Sequence, residues 1–247
     1  MDTPSSPVVR KCWASSLGGC DKLSREHVIS RSIFASACDC PTLVEGMHRL
    51  PSGYLAESAM TAKILCKRHN SDLSPLDEEA GKLADLLLIA ARGNEVGRRD
   101  LNGLLIERWA FKTLMNGLVA GWSDQRKWVP SELIVRYIFG QGGIPSGCGL
   151  YTVDGDISDL LNPQDASITP VWSGTNSNTK VCFGGYIRVH GLQLFVAIYD
   201  QAVEQIVGRS EGPPRVFEND EKRFVYRPEF VSIGAEENSN DGVIFRW

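Results

Sequence analysis

The chain has 247 residues, enough for one large domain or two modest ones with real cores. Its apolar content of 43% and charged content of 23% are ordinary for a globular protein, and its formal net charge of −4 argues against a wholesale polyanion binder. No run of about 18 apolar residues occurs, so the sequence predicts no membrane-spanning helix.

The charge is unevenly distributed along the chain. Residues 1–75 contain 9 Lys and Arg against 7 Asp and Glu, whereas residues 76–247 contain 17 against 23. A mildly basic N-terminal part and an acidic remainder are consistent with a nucleic acid that contacts only the N-terminal part. A random distribution of surface charge explains these counts equally well.

The chain contains seven cysteines. Its first ten residues are polar and proline-rich and lack the apolar core of an export signal. We therefore expect a cytoplasmic protein whose cysteines are metal ligands or buried thiols rather than disulfides.

The first 92 residues predict two short strands and a helix. The strands are expected around residues 27–29 and 61–65, with loop-like sequence over 35–55 between them. A helix is predicted over 70–91, because Pro75 stands near its start, where a missing amide proton costs little. Acidic residues over 77–79 complement the dipole of its first turns.

The remainder predicts a helical middle followed by a β-rich region. Residues 92–100 form a polar connector, residues 101–121 a second helix, and residues 131–139 either a helix or a strand. Beyond residue 145, β-branched and aromatic runs predict strands. These lie over 181–186, 187–189, 192–198, 223–226, 230–233 and 243–247, with a hairpin turn at His190-Gly191.

Four residues have the composition of a structural zinc site. Cys66 and His69 are separated by two residues at the expected start of a helix, and Cys12 and Cys20 are separated by seven. Three thiolates and one imidazole form a common tetrahedral zinc set. The same cysteines are alternatively buried thiols without a metal.

Cys38 and Cys40 are rival ligands. They form a Cys-x-Cys pair before a proline, in the loop-like segment, and such a pair can also bind a metal. Cys148 and Cys182, in the β-rich region, are predicted core residues.

A second group of residues carries oxygen and imidazole chemistry. Zinc binding by the Cys12–Cys20 loop and the Cys66–His69 knuckle would bring Glu26-His27 close to Asn70, which directly follows the last zinc ligand. Carboxylate and amide oxygens suit Mg²⁺ or Mn²⁺. The imidazole of His27 is suited to deprotonate a water that attacks phosphorus.

Together these residues resemble the HNH nucleases, the ββα-metal class built on a treble-clef zinc knuckle. The resemblance covers about residues 11–80 and is carried by residues 24–30 (SREHVIS) and 65–77 (LCKRHNSDLSPLD). It implies that Glu26 and Asn70 are ligands of a catalytic Mg²⁺ or Mn²⁺ and that His27 is the general base. It also implies four ligands of a structural Zn²⁺: Cys12, Cys20, Cys66 and His69.

This sequence departs from the family pattern at three positions. The acid is Glu26 where Asp is more frequent, and the last zinc ligand is His69 where Cys is usual. The family's third polar position, one helical turn after Asn70, falls on Ser74 or is lost at Pro75.

We therefore predict an α+β protein in three parts. Residues 1–92 form a zinc-bound ββα nuclease unit, residues 93–144 a helical connecting region, and residues 145–247 a β-rich accessory domain. The expected function is metal-dependent hydrolysis of DNA phosphodiester bonds, with defence of a bacterium against foreign DNA as an analogy. The basic residues expected to contact phosphates are Arg25, Arg31, Lys67 and Arg68.

Two other functions stay open. One is a non-catalytic zinc-knuckle module that binds nucleic acid or protein. The other is a partner-controlled toxin whose β-rich part docks a regulatory protein. If the protein is a nuclease, the later regions are expected to supply homodimerisation or sensing of a partner or signal.

Overall fold

The structure is a computed structural model. It describes residues 12–34, 42–44, 53–55, 60–121, 129–145, 148–154, 166–173, 181–198, 216–219, 222–233 and 241–247. Within these residues the chain forms a mixed α+β fold in which strands outnumber helices.

The helices of the described residues are α1 (Lys67–Asp72), α2 (Ser74–Ala91), α3 (Gly103–Ala120) and α4 (Glu132–Ile138). The strands in the same part of the chain are β1 (Leu23–His27), β2 (Thr42–Val44), β3 (Gly53–Leu55), β4 (Thr61–Cys66), β5 (Arg98–Asn102), β6 (Gly149–Asp154), β7 (Ala166–Ser173), β8 (Val181–Val189), β9 (Leu192–Ala197), β10 (Val216–Asn219), β11 (Lys222–Tyr226), β12 (Phe230–Ser232) and β13 (Gly242–Arg246).

The first part of the fold is an antiparallel pair of strands followed directly by two helices. β1 pairs with β4, and the pairing shifts register between Ser24 and Glu26. α1 starts at the residue after β4, so Cys66 lies at the strand-to-helix junction. The helix predicted over 70–91 starts earlier than expected and is divided into α1 and α2 at Leu73. Leu73, with a φ of −94° and a ψ of −1°, is both the last cap of α1 and the first cap of α2.

Helix α3 lies at the centre of the molecule. The side chain of Asn102 accepts a hydrogen bond from the Leu105 amide and caps its start, and Gly121 ends it with a φ of 74°. Most of its side chains are buried, because it packs against α2 on one side and strands β7, β8 and β9 on another. A helix buried on several faces carries few solvent-facing residues.

The β-rich region is largely one antiparallel sheet. Its described strands have the order β10-β11-β6-β9-β8-β7. The predicted turn between β8 and β9 is confirmed: His190 and Gly191 have φ values of 48° and 97°. Segment 131–139, for which helix and strand were equally open, is the helix α4.

The prediction of a connector over 92–100 is wrong for its last residues, which belong to β5. Arg98, Arg99 and Asp100 are exposed and only Leu101 is buried, so the segment shows no alternation of polar and apolar residues. The strand exists because its backbone pairs in parallel with β13, far along the chain.

One hydrophobic core joins the three predicted regions. The same cluster of buried side chains includes Leu65 of β4, Leu114 of α3 and Val196 of β9. Among the residues described, none of the helices combines the length and the apolar character needed to cross a membrane.

Candidate metal-binding and catalytic site

The structure brings the four predicted zinc ligands together. Nδ1 of His69 lies 3.3 Å from Sγ of Cys12, 3.7 Å from Sγ of Cys20 and 3.3 Å from Sγ of Cys66. All four ligand atoms lie within 4.8 Å of one another. In a tetrahedral zinc site the sulfur–nitrogen separation is about 3.6 Å. The spacing and the donor set therefore fit Zn²⁺.

Two glycines shape the loop that presents Cys20. Gly18 and Gly19 have φ values of 74° and 65°, a backbone conformation that residues other than glycine rarely adopt. A Cβ atom on Gly19 would lie 1.8 Å from Nη1 of Arg68. Arg68 donates a hydrogen bond from that nitrogen to the Gly19 carbonyl at 3.3 Å. This hydrogen bond links the loop to the start of α1.

His69 is fixed in orientation by its surroundings. It is buried, its ring packs edge-on against Phe139 with 5.4 Å between centroids, and it is hydrogen-bonded to the Gly18 backbone. Burial lowers the pKa of His69, and Asp72 opposes that shift. A neutral imidazole with one nitrogen toward the thiols and the other bonded to the backbone is the usual state of a metal ligand.

The Cys12 thiol is poorly suited to be charged without a cation. Burial raises the pKa of Cys12 to about 12. A metal would have to displace the proton of this thiol, as metal binding to thiols ordinarily does. The rivals Cys38 and Cys40 lie outside the described residues. Cys148 and Cys182 are buried, as predicted for core residues.

The second predicted group also converges. Glu26, His27 and Asn70 line one cavity of about 220 Å³. Glu26 is 5% exposed, whereas His27 and Asn70 are half-buried. The other residues that line this cavity are Ser30, Arg31, Ser32, Ser71, Ser74 and Asp77.

A lysine from α3 contacts the carboxylates of this cavity. Nζ of Lys112 lies 2.8 Å from Oε1 of Glu26 and 2.7 Å from each carboxylate oxygen of Asp77. The Lys112 side chain is 1% exposed. Burial raises the pKa of Glu26, and Lys112 partly opposes that rise. Sequence reasoning missed both Lys112 and Asp77.

One face of α3 supports the whole site. Nε1 of Trp109 donates to Oγ of Ser30 at 2.9 Å, and Oγ of Ser30 donates to Asp77 at 2.5 Å. Asn116 accepts from Nε1 of Trp13 at 3.0 Å and donates to the His27 carbonyl at 3.4 Å. Trp109, Lys112 and Asn116 are separated by three and four positions along α3, so they lie on one face of the helix.

A sequence signal for this face did exist. Lys112 and Asn116 are polar residues at helical spacing from Trp109, within the largely apolar stretch 109–120. Polar residues on the buried face of a helix are rare unless they are paired, so they indicate a polar partner on a neighbouring element. The sequence does not say which element that is.

Asp77 lines the same cavity as Ser74, the residue on which the expected third polar position falls. It lies in the first turn of α2, beyond Ser74, and both residues line the cavity. Its side chain is 27% exposed, so it faces the cavity as well as Lys112. The sequence offered Asp77 only as a helix-start acid.

The four predicted phosphate contacts are placed differently from one another. Arg31 lines the cavity and is exposed. Arg25, Lys67 and Arg68 are exposed but do not line it. Arg68 contacts the Cys20 loop, including Asp21, whose carboxylate accepts from the Arg68 amide at 3.2 Å.

Comparison of the chain with family models, with curated proteins and with solved structures gives no match.

Proposed function

We propose that this protein is a metal-dependent endonuclease of the HNH type that hydrolyses DNA phosphodiester bonds. The observation that carries the proposal is the convergence of Glu26, His27 and Asn70 on one cavity beside a Cys₃His cluster. A carboxylate, an amide and an imidazole in one opening supply the donor types that phosphodiester hydrolysis needs.

The oxygen donors fit a divalent cation. Glu26, Asn70 and Asp77 present carboxylate and amide oxygens to the same cavity, and such oxygens suit Mg²⁺ or Mn²⁺. When bound there, the ion would act as a Lewis acid that stabilises negative charge on the phosphate. These three residues would hold it.

The remaining steps belong to the side chains. His27 is half-buried at the cavity wall and would take the proton of the attacking water at an imidazole nitrogen. Asn116 donates a hydrogen bond to the His27 carbonyl, and this contact fixes the end of β1 from which the His27 imidazole projects. Arg31 would hold a phosphate oxygen at the rim.

The proposal is tested by plasmid nicking with Mg²⁺ or Mn²⁺ as the added ion. We expect wild-type protein to convert supercoiled plasmid to nicked circles, and His27→Ala to lose at least about a hundredfold of the rate, as when a general base is removed. The zinc content and thermal unfolding of the variant should match wild type.

A matched control is Lys82→Ala, which removes an exposed cation from α2 at a position outside the cavity. It should nick at the wild-type rate. A wild type that cuts with none of the divalent ions, or a His27→Ala variant that cuts as fast as wild type, would contradict the proposed activity.

The second candidate is a non-catalytic zinc-knuckle module that binds nucleic acid or protein. The ion pair between Glu26 and buried Lys112 favours it, because a carboxylate neutralised by a lysine also serves as a structural group. This function predicts saturable DNA binding in gel-shift assays, weakened by Arg31→Ala, without cleavage by any divalent ion.

A further inference from the structure

Among the described residues, Lys112 is the one charged group at the candidate site that comes from outside the predicted nuclease unit. It stands in the middle of α3, while the carboxylates that it contacts belong to β1 and α2. Buried lysines are rare unless they are paired, and this one is paired with two carboxylates at once. Its position therefore calls for a role linked to those carboxylates.

A direct role toward the substrate does not fit the geometry. An ammonium has three N–H donors. The three oxygen contacts of Lys112, one to Glu26 and two to Asp77, match these donors. With 1% exposure, the side chain has neither a donor nor a surface left for a phosphate. Lys112 can act only through Glu26 and Asp77.

The charge of the cluster shows what that action is. Glu26 and Asp77 supply two negative charges and Lys112 one positive charge, so the cluster keeps one net negative charge. Two carboxylates that share one ammonium do not repel each other as a bare pair would. They stay together whether or not a second cation is present, and they attract that cation less strongly.

We propose that Lys112 is a positioning residue that acts as a built-in cation of the divalent-ion site. It keeps Glu26 and Asp77 assembled without a bound ion, and it weakens their attraction for a divalent cation. This inference rests on the divalent-ion site of the proposed function, but it is measured by ion binding and stability and not by cleavage.

The test compares Lys112→Met with wild type, both loaded with zinc, in buffer freed of other metals. Mn²⁺ binding is followed by electron paramagnetic resonance. We expect Lys112→Met to bind Mn²⁺ roughly tenfold or more tightly than wild type, because the cluster gains one net negative charge. Its Tm should fall without divalent ions and recover when Mn²⁺ or Mg²⁺ is added, whereas the wild-type Tm should change little.

Two further variants separate charge from packing. Lys82→Met removes a lysine that is 64% exposed and paired with Glu79, and it should change neither Mn²⁺ affinity nor the ion dependence of Tm. The double variant Lys112→Met with Asp77→Asn returns the cluster to one net negative charge. It should lose most of the stability gain that ions give Lys112→Met.

The outcomes divide cleanly. A Lys112→Met protein with unchanged or weaker Mn²⁺ binding, and a loss of Tm that ions do not restore, shows a lysine that only fills space and overturns the proposal. If Lys112→Met does not fold, the same step is measured between Asp77→Asn and the double variant, where a tenfold gain in affinity is again required. If the protein never cuts DNA but shows these ion effects, the nuclease function is wrong and the proposal for Lys112 stands.

Discussion

At the scale of single residues, the zinc cluster depends on protons as much as on geometry. The four ligand atoms are already grouped, but burial raises the pKa of Cys12 to about 12. At neutral pH this thiol is protonated in the metal-free fold. Zinc must therefore compete with a proton at this ligand, and its apparent affinity rises with pH.

We expect zinc retention to fall as the pH is lowered. A thiol with a raised pKa binds its proton more tightly, so acid favours the metal-free state. Between about pH 8 and about pH 6, the apparent zinc affinity should drop by roughly tenfold per pH unit for each thiol that must lose a proton. Competition with a chromophoric chelator measures it.

The control for this experiment is Cys182→Ser, since Cys182 is a buried cysteine outside the cluster. It should keep one zinc per chain with the wild-type pH dependence. Cys66→Ser should lose the zinc. Zinc retained by Cys66→Ser, or an affinity independent of pH, would contradict the ligand set.

At the scale of secondary structure, α3 is the element on which the site depends. Trp109, Lys112 and Asn116 contact Ser30, the two carboxylates and Trp13 from one helical face. Trp13 belongs to the zinc loop, the segment over residues 12–20 that carries Cys12 and Cys20. β1, α2 and the zinc loop touch this face at different points. A change at one point of the helix therefore has a local effect that can be separated from a general loss of stability.

Asn116→Ala should both destabilise the protein and loosen the zinc loop. It removes the acceptor of the Trp13 indole, next to the ligand Cys12, and leaves a buried donor unpaired. The expected loss is about 1–3 kcal/mol of unfolding free energy, with faster zinc release to a chelator. Denaturant titration and chelator-driven release measure the two effects.

Asn102→Ala is the matched control, because it weakens the same helix away from the site. It removes the side chain that caps the start of α3 and should cost about 1 kcal/mol. Zinc release should stay at the wild-type rate under native conditions. Equal zinc release from both variants would show that general stability, and not the Asn116 contact, holds the loop.

The sequence was informative where chemistry is local. Cys66, His69 and Asn70 follow one another at a strand-to-helix junction, so their spacing alone placed them. Lys112 and Asp77 could not be paired in advance, since the contact between them depends on how α3 crosses α2. β5 was missed for a related reason, because its partner is β13 and its own side chains are mostly exposed.

At the scale of the whole molecule, the predicted regions share their supports. Glu107 of α3 is fully buried and accepts hydrogen bonds from Arg227, at 2.7 and 3.1 Å, and from the Leu150 amide at 3.1 Å. Five residues further along the same helix, Lys112 contacts the candidate site. The boundaries predicted after residues 92 and 144 remain predictions, but α3 connects the parts on either side.

We expect residues 1–92 on their own to fail to form a cooperatively folded unit. The fragment lacks Lys112, so Glu26 and Asp77 lose their shared cation, and it lacks the apolar face of α3 that covers α2. Full-length protein should show one sharp thermal transition and the fragment a broad one by circular dichroism. A fragment with a sharp transition near the full-length Tm would show that the later regions are dispensable for folding.

The parallel pairing of β5 with β13 has a consequence for the time course of synthesis. Arg98 pairs with Gly242, so the two strands are translated 144 residues apart. At elongation rates of about 5–20 residues per second, the second strand is synthesised roughly 7–30 s after the first. Trp247, whose ring lies 2.7 Å from the position that a Cβ on Gly103 would take, is translated later still. The first turn of α3 therefore lacks its contacts with β13 and Trp247 until the end of translation. During this time the central helix of the nascent chain is only partly packed.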